Sequence, residues 1–382
     1  MKKTVFIIAG EASGDVRGSE LVSEIGKISP EVSFWGVGGD AMAASGVELI
    51  EHIRNLSIVG VWEALRSVFK IKRQYDHITA HILKRKPDLA VLIDYPGFNL
   101  KLASFLKKND IPVIYYIIPQ VWAWGKGRIG LIERFVDKAL VLFDFEEKLL
   151  REHGIDCDLV GHPLVDQIPE YAPECQSVQV SECQGLTIAL LPGSRKSEIS
   201  VLLPIMLETA HQLTSKIMDV RFVLARTSSL DRSLYDKFIG KYPSLNITSV
   251  TDDTAGTLNK SAFAMVTSGT ATLETALCGV PMIIVYKGSF ITYLAFKLFV
   301  RIPFIGLANI IAGKEIAPEF LQNKAVPDKL CETIYIMLND HKRLLSIRND
   351  LREVRISLGE KGAAGRAAKK ICAFLQKTVS ML

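Results

Sequence analysis

The chain has 382 residues, of which 48% are hydrophobic and 23% charged. That is too long for one ordinary domain, comfortable for two, and apolar enough for large cores, which excludes a disordered or fibrous chain. The net charge is only +5 and no basic tract is laced with aromatics, so a nucleic-acid binder is excluded as well.

The first element is a short apolar run at 4–9. It imitates the core of a signal peptide, but it is too short and passes straight into Gly10-Glu11-Ala12-Ser13-Gly14-Asp15, so a first strand is expected. Further apolar runs without clean alternation lie at 33–37, 89–93, 113–117 and 139–142, as expected of strands covered on both faces. Helical stretches at 14–28, 61–86, 99–109 and 127–136 intervene. This rhythm predicts a doubly wound parallel sheet. It breaks over 163–184, a stretch with three Pro, two Cys and several acids that reads as a linker. The rhythm restarts with strands at 187–191, 220–225, 247–250, 263–266 and 282–285, and helices at 197–216 and 272–278. The tail from 328 to 382 reads as helical. The predicted organisation is an N-terminal domain over 1–165, a linker over 166–185 and a second domain over 186–355. A last helix over 356–382 either crosses to the other domain or meets a partner chain.

The cysteines (157, 175, 183, 278, 331 and 372) form no C-x-x-C pair and no cluster with His. Reduced thiols in the cytoplasm are expected, not a disulfide framework or a zinc site. The stretch 289–307 is strongly apolar, but Lys297, Arg301 and Pro303 interrupt it. A spanning helix needs roughly 20 mostly uncharged residues, so a surface-lying helix or a dimer contact are the readings left open. Between Arg66 and Lys86 stand seven Lys/Arg against one acid, Asp76. There Val61, Leu65, Val68 and Phe69 adjoin Lys70, Lys72 and Arg73. Apolar groups beside cations suit an anionic membrane surface. The alternative is a helix packed on its own sheet with a solvated basic face.

Ligands of open parallel sheets bind at the carboxyl ends of strands, and the polar motifs cluster there in both halves. Gly10–Asp15 and Leu190-Leu191-Pro192-Gly193-Ser194-Arg195 each follow a strand and open a helix, whose N-terminus offers free N–H groups. Arg195 suits phosphate; Glu11 and Asp15 suit hydroxyls or proton transfer. Asp94-Tyr95-Pro96-Gly97-Phe98-Asn99 places a carboxylate just past a strand end. Asp94 is a candidate general base, or else an N-cap; Asn99 is the better placed cap, which favours the base. In Pro119-Gln120-Val121-Trp122-Ala123-Trp124 the indoles could stack on a sugar, line an acyl channel or fill a core. Ser268, Gly269, Thr270 and Ala271 could hold phosphate at a helix start, with Glu274 one turn in for ribose hydroxyls; the alternative is an ordinary N-cap. With Gly193-Ser194-Arg195 they describe a nucleotide-diphosphate pocket, and the two sets together predict an active site between the domains. No G-x-G-x-x-G, G-x-x-x-x-G-K-[ST] or G-x-S-x-G occurs. His77 and His81 lack the Glu of a zinc-protease helix and are expected at the surface.

These segments, with Gly36-Val37-Gly38-Gly39, Gly161-His162-Pro163 and Asn309-Ile310-Ile311-Ala312-Gly313, closely resemble the lipid-A-disaccharide synthase family. The family comprises inverting glycosyltransferases of the GT-B fold, and the motifs follow its order along nearly the whole chain. Gly97 stands where the family often has Asp, and Ala308 where it often has Pro. The resemblance implies an α/β fold of GT-B type, two doubly wound parallel-sheet domains facing an interdomain cleft. It implies transfer of 2,3-diacylglucosamine from UDP-2,3-diacylglucosamine to the 6-hydroxyl of 2,3-diacylglucosamine 1-phosphate, giving a β-1,6 disaccharide and UDP.

It further implies UDP on the C-terminal domain, at Gly193, Ser194, Arg195, Ser268, Gly269, Thr270, Ala271 and Glu274. The acceptor is then expected on the N-terminal domain, at Ser13, Gly14, Asp15, Gly38, Gly39, Asn99, Gln120 and Trp122, with Asn309 also positioning sugar. Asp94 is expected as base with Glu11 second, and Arg195 as the group that neutralises the diphosphate. No metal and no cofactor are implied. The expected location is the cytoplasmic face of a bacterial inner membrane, peripherally attached. A homodimer through 290–305 and 328–382 is a further expectation. The alternatives are another UDP-sugar enzyme of this fold, an epimerase or an N-acetylglucosaminyl transferase, or a non-catalytic nucleotide-sugar or lipid-binding protein.

Overall fold

A computed structural model describes residues 3–56, 63–122, 127–168, 185–288 and 303–379. Contacts divide the chain into two units, Met1–Asp166 with Glu360–Leu382, and Gln167–Gly359.

In the first unit the strands are β1 (Thr4–Ala9), β2 (Ser33–Gly38), β3 (Glu48–His52), β4 (Leu89–Ile93), β5 (Val113–Tyr116), β6 (Lys138–Val141) and β7 (Cys157–Leu159). All pair in parallel, in the order β3-β2-β1-β4-β5-β6-β7. The central strands β1 and β4 are continuous apolar runs, as burial on both faces demands. The two strands missing from the sequence reading are the edges. Glu48–His52 is polar and half-exposed, and Cys157–Leu159 is only three residues long; both are common edge devices.

Helices α1 (Ala12–Ile28), α2 (Asp40–Ala44), α3 (Ile53–Leu56), α4 (Glu63–Arg85), α5 (Pro96–Lys108), α6 (Gly127–Phe135) and α7 (Asp144–Glu152) lie between these strands, and α8 (Leu164–Gln167) follows the last of them. Ile78 and Ile82 of α4 are buried in the sheet's core, with Ile71 and Tyr75 partly buried against it. Lys70, Lys72 and Arg73 are exposed. From residue 70 onward, then, α4 is a helix on its own sheet with a solvated basic face. Val61 lies outside the described residues, as do the side chains of Leu65, Val68 and Phe69.

The second unit holds β8 (Leu186–Leu191), β9 (Val220–Arg226), β10 (Ile247–Thr251), β11 (Phe263–Thr267), β12 (Met282–Tyr286) and β13 (Glu319–Leu321). They form a parallel sheet in the order β10-β9-β8-β11-β12-β13. Its helices are α9 (Lys196–Thr214), α10 (Arg232–Ile239), α11 (Thr254–Asn259), α12 (Thr270–Leu277), α13 (Leu307–Ala312), α14 (Pro327–Asn339) and α15 (His341–Ser357). Leu330, Ile334 and Met337 of α14, and Leu344, Ile347 and Leu351 of α15, are buried within the chain. Most of 290–305, the other half of the homodimer expectation, lies outside the described residues.

The last helix, α16 (Ala363–Val379), packs on α1 in the first unit. Asp166 caps it, accepting the amides of Gly362 (2.5 Å) and Ala363 (3.2 Å). Arg366 donates to the Val160 carbonyl at 2.8 Å. Among the described residues no helix is long and apolar enough to cross a membrane.

Candidate active site

The register between β1 and β4 pairs Ala9 with Ile93, so the loops that leave these two strands start side by side. Glu11 is the N-cap residue of α1; its side chain makes no capping bond and is exposed. Across from it Asp94 and Tyr95 both sit in the left-handed region, at φ 45° and 50°. Each such non-glycine residue costs on the order of 1–3 kcal/mol and persists only where surroundings over-determine it. Here they do. The Asp94 amide donates to the Tyr116 carbonyl at 3.2 Å. The Asp94 carbonyl accepts from the Tyr115 hydroxyl and from Asn99 Nδ2, each at 2.7 Å. The Tyr95 ring stacks on Phe98 and lies so close over Gly10 that a Cβ there would come within 2.2 Å of it.

The result is a fixed, half-buried carboxyl group beside a second acid. Burial, and then the charge of Glu11, push the Asp94 carboxyl above the ordinary carboxylate range, against a hydrogen bond from the Tyr95 amide. A carboxylate with raised proton affinity is a better general base.

Several neighbours have structural duties. Asp15 is 6% exposed, and its carboxylate accepts from the amides of Gly39 (2.6 Å), Ala41 (3.0 Å) and Met42 (3.1 Å), capping α2. Gly38 and Gly39 make room for Met42 and for that carboxylate. Asp15, Gly38 and Gly39, expected at the acceptor, thus have a structural duty here: they brace the β2–α2 turn. Gly14 is buried against Ala9, while Ser13 is exposed at the start of α1. The capping role expected of Asn99 is corrected. Tyr95 is the N-cap residue of α5, and Asn99 is fully buried inside that helix, bonded to the Ile93 and Asp94 carbonyls. Through these bonds it positions Asp94, while its Oδ1 is buried without a partner.

After β5, Gln120 is exposed and Trp122 is half-buried. The Trp122 indole donates to Glu146 at 3.1 Å and meets Phe145 edge-on at 5.3 Å. Glu146, which sequence reasoning missed, is 3% exposed; burial pushes it up to about 7 against bonds from Trp122, Leu142 and Phe143. Its only signal is its place as the third residue of α7, where an acid reaches back to the free amides. Trp124 lies outside the described residues.

In the second unit, Gly193 (φ 107°) turns the chain after β8. Arg195, the N-cap residue of α9, is 75% exposed. Glu198 curls back on this loop: its carboxylate accepts from the Ser194 and Arg195 amides at 3.3 Å and lies 3.5 Å from the Arg195 guanidinium. The sequence expectation of wholly free loop amides is thus corrected, since an acid of the same helix already sits on them. The loop lines a cavity of about 510 Å³ with Ser268, Gly269, Thr270, Ala271 and Glu274, so all eight expected UDP residues meet there. The cavity also takes in Thr267, the first residue of the same motif, and Arg226 and Asp252, which sequence reasoning had not singled out. Ser268 donates to the Ile305 carbonyl at 3.1 Å, and Gly269 (φ 137°) opens α12.

Over residues 5–373 the chain matches the family model described as lipid-A-disaccharide synthetase. The lipid-A-disaccharide synthase of Syntrophus aciditrophicus is 40% identical over 378 residues, covering 98% of this chain and 99% of that one.

The chain belongs to the lipid-A-disaccharide synthetase family.

It is a disaccharide-forming glycosyltransferase, with a nucleotide-sugar and an acceptor as its general substrate classes. Solved structures show the same fold at low identity. The glycosyltransferase of kitacinnamycin has a TM-score of 0.61 at 15% identity, covering 98% of this chain and all of that one. The UDP-GlcNAc 2-epimerase of Methanocaldococcus jannaschii, solved with UDP-GlcNAc and UDP, has a TM-score of 0.60 at 14% identity, with 98% and 100% covered. The fold is α/β of GT-B type.

Within this synthetase-family chain, one expected ligand residue is placed differently. Asn309 is fully buried. Its Nδ2 donates to the Ala317 carbonyl and to Glu319, and its Oδ1 accepts from the Ile316 and Ala317 amides, all at 2.7–2.9 Å. Glu319 also accepts from the Ile305 and Gly306 amides. Asn309 is a clamp that shapes the wall after α13 and has no polar valence left for a sugar.

Proposed function

We propose that the protein moves 2,3-diacylglucosamine from UDP-2,3-diacylglucosamine to 2,3-diacylglucosamine 1-phosphate. The acceptor 6-hydroxyl attacks the anomeric carbon, the bond from that carbon to the diphosphate oxygen breaks, and UDP leaves with the electron pair. Asp94 takes the hydroxyl proton. The observation that carries this reading is the fixed Asp94 carboxyl, half-buried, raised in proton affinity and free of any capping duty. Glu11 is the second candidate and acts in this reading chiefly through its charge on Asp94.

Arg195 and the start of α12 meet the charge that grows on the departing diphosphate, while Glu274 holds the ribose. Ser13 and Gln120, both exposed at strand-end loops, are polar groups that contact the acceptor in this reading. The exposed cations Lys70, Lys72 and Arg73 support peripheral attachment to an anionic membrane on its cytoplasmic side.

UDP release with both diacyl substrates present tests the proposal. Release that needs the acceptor and yields the β-1,6 disaccharide supports it. Epimerised UDP-sugar formed without acceptor, or binding without turnover, would overturn it.

A further inference from the structure

The UDP cavity holds a cation that the transfer reaction has not used. Arg226 ends β9, and its Nε is buried with no hydrogen-bond partner. Its Nη2 donates to Thr251 Oγ1 at 2.8 Å, and the guanidinium stands 6.0 Å from the ring of the fully buried Tyr235. The fork is therefore oriented from one side, its Nε unpaired inside the protein, and the residue lines the cavity. Thr267, 5% exposed on the same cavity, likewise has a buried hydroxyl oxygen without a partner. Buried polar groups are rarely left so unless something else uses them.

Position separates Arg226 from Arg195. The strand order is β10-β9-β8-β11, so the end of β9 is two strands from the start of α12. Neighbouring strands are ~4.8 Å apart, which puts Arg226 about 10 Å from the helix start that meets the phosphates. That offset matches the reach of a nucleoside diphosphate from its phosphates to its base. Arg195, in the loop that follows the strand between, serves the phosphate end. At the end of β10, beyond Arg226, stands Asp252. Its Oδ1 accepts the Ser228 amide at 3.0 Å. A carboxylate there disfavours phosphate and favours an N–H donor.

We propose that Arg226 and Asp252 read the nucleotide base, the guanidinium donating to a uracil carbonyl and the carboxylate accepting the ring N3–H. This rests on the UDP reading of the cavity. Cytosine presents the opposite pattern, an acceptor at N3 and an amino donor in place of the O4 carbonyl, so the pair discriminates against it.

Calorimetry with UDP, CDP and inorganic pyrophosphate on the full chain tests this. Arg226→Ala should lose roughly ten- to hundredfold in UDP affinity, the usual cost of a charged hydrogen bond, and lose preference over CDP. Its pyrophosphate affinity should stay at the wild-type value. Arg226→Lys should remain weak, because a point charge does not replace the fork. Asp252→Asn should narrow the UDP/CDP ratio while keeping the fold, and carries the test if Arg226→Ala does not fold. An equal loss for pyrophosphate and UDP would make Arg226 a phosphate ligand and overturn the proposal, as would variants with wild-type UDP/CDP preference. Wild-type protein that binds pyrophosphate but no UDP would overturn the parent UDP reading instead.

Discussion

The loop after β4 and the loop after β8 both follow buried parallel strands and both open a helix, yet they are built by opposite means. The Asp94 loop is half-buried and strained, with two left-handed non-glycine residues pinned by Tyr115, Tyr116 and Asn99. The Arg195 loop turns on a glycine, and its cation is 75% exposed and paired with Glu198. Proton transfer needs a group at a fixed point in a poorly solvated place, where burial raises its affinity for the proton. Holding a diphosphate needs a long-range cation that adapts to an incoming anion. The rigid loop is suited to the first task and the open one to the second.

The largest expected effect breaks the rigid side. Asp94→Asn should lose ~10²–10⁴ in turnover, the usual share of a general base. UDP affinity by calorimetry should be unchanged. On the open side, Arg195→Ala should cost on the order of a hundredfold in transfer rate and weaken UDP binding. Arg195→Lys should recover only part of that, because an ammonium keeps the charge but not the planar fork.

A smaller effect separates structure from chemistry in the second unit. Asn309→Ala leaves two amides and one carbonyl without partners and should cost at least ~2 kcal/mol in a urea melt. An unchanged melt with a raised acceptor KM would return Asn309 to sugar binding.

The smallest effect concerns Glu146, pushed up to about 7 from 4.5. Between those values the folded protein keeps a proton that the unfolded chain has released. Wild-type stability should therefore fall as pH rises through that window. Glu146→Gln has no proton to lose and should lack that fall in melts at about pH 5 and about pH 8.

Much of this was legible in the chain. Apolar runs such as 4–9 and 89–93 gave away the central strands, and Asp94, Glu11, Arg195 and Glu274 could be placed because each follows a strand end. What was not legible depends on partners distant in sequence. Asp15 looks like a ligand until Gly39, Ala41 and Met42 turn their amides on it. Asn309 looks like a sugar contact until Ala317 and Glu319 close on it. Arg226 gave no signal because it ends a strand of ordinary composition. The edge strands β3 and β7 hid because edges need little apolar sequence. Glu198 was missed for a local reason: an acid at the third helical position reads as a cap, and it is one.

The pH dependence of turnover in Glu11→Gln tests the assignment of Asp94 most directly. The Glu11 charge helps hold the Asp94 carboxyl above its ordinary range. With Asp94 as base, the variant should stay active, and the acidic limb of its kcat/KM profile should move to lower pH. A Glu11→Gln protein that is inactive at every pH, beside an Asp94→Asn protein with near-normal turnover, would contradict the assignment and make Glu11 the base.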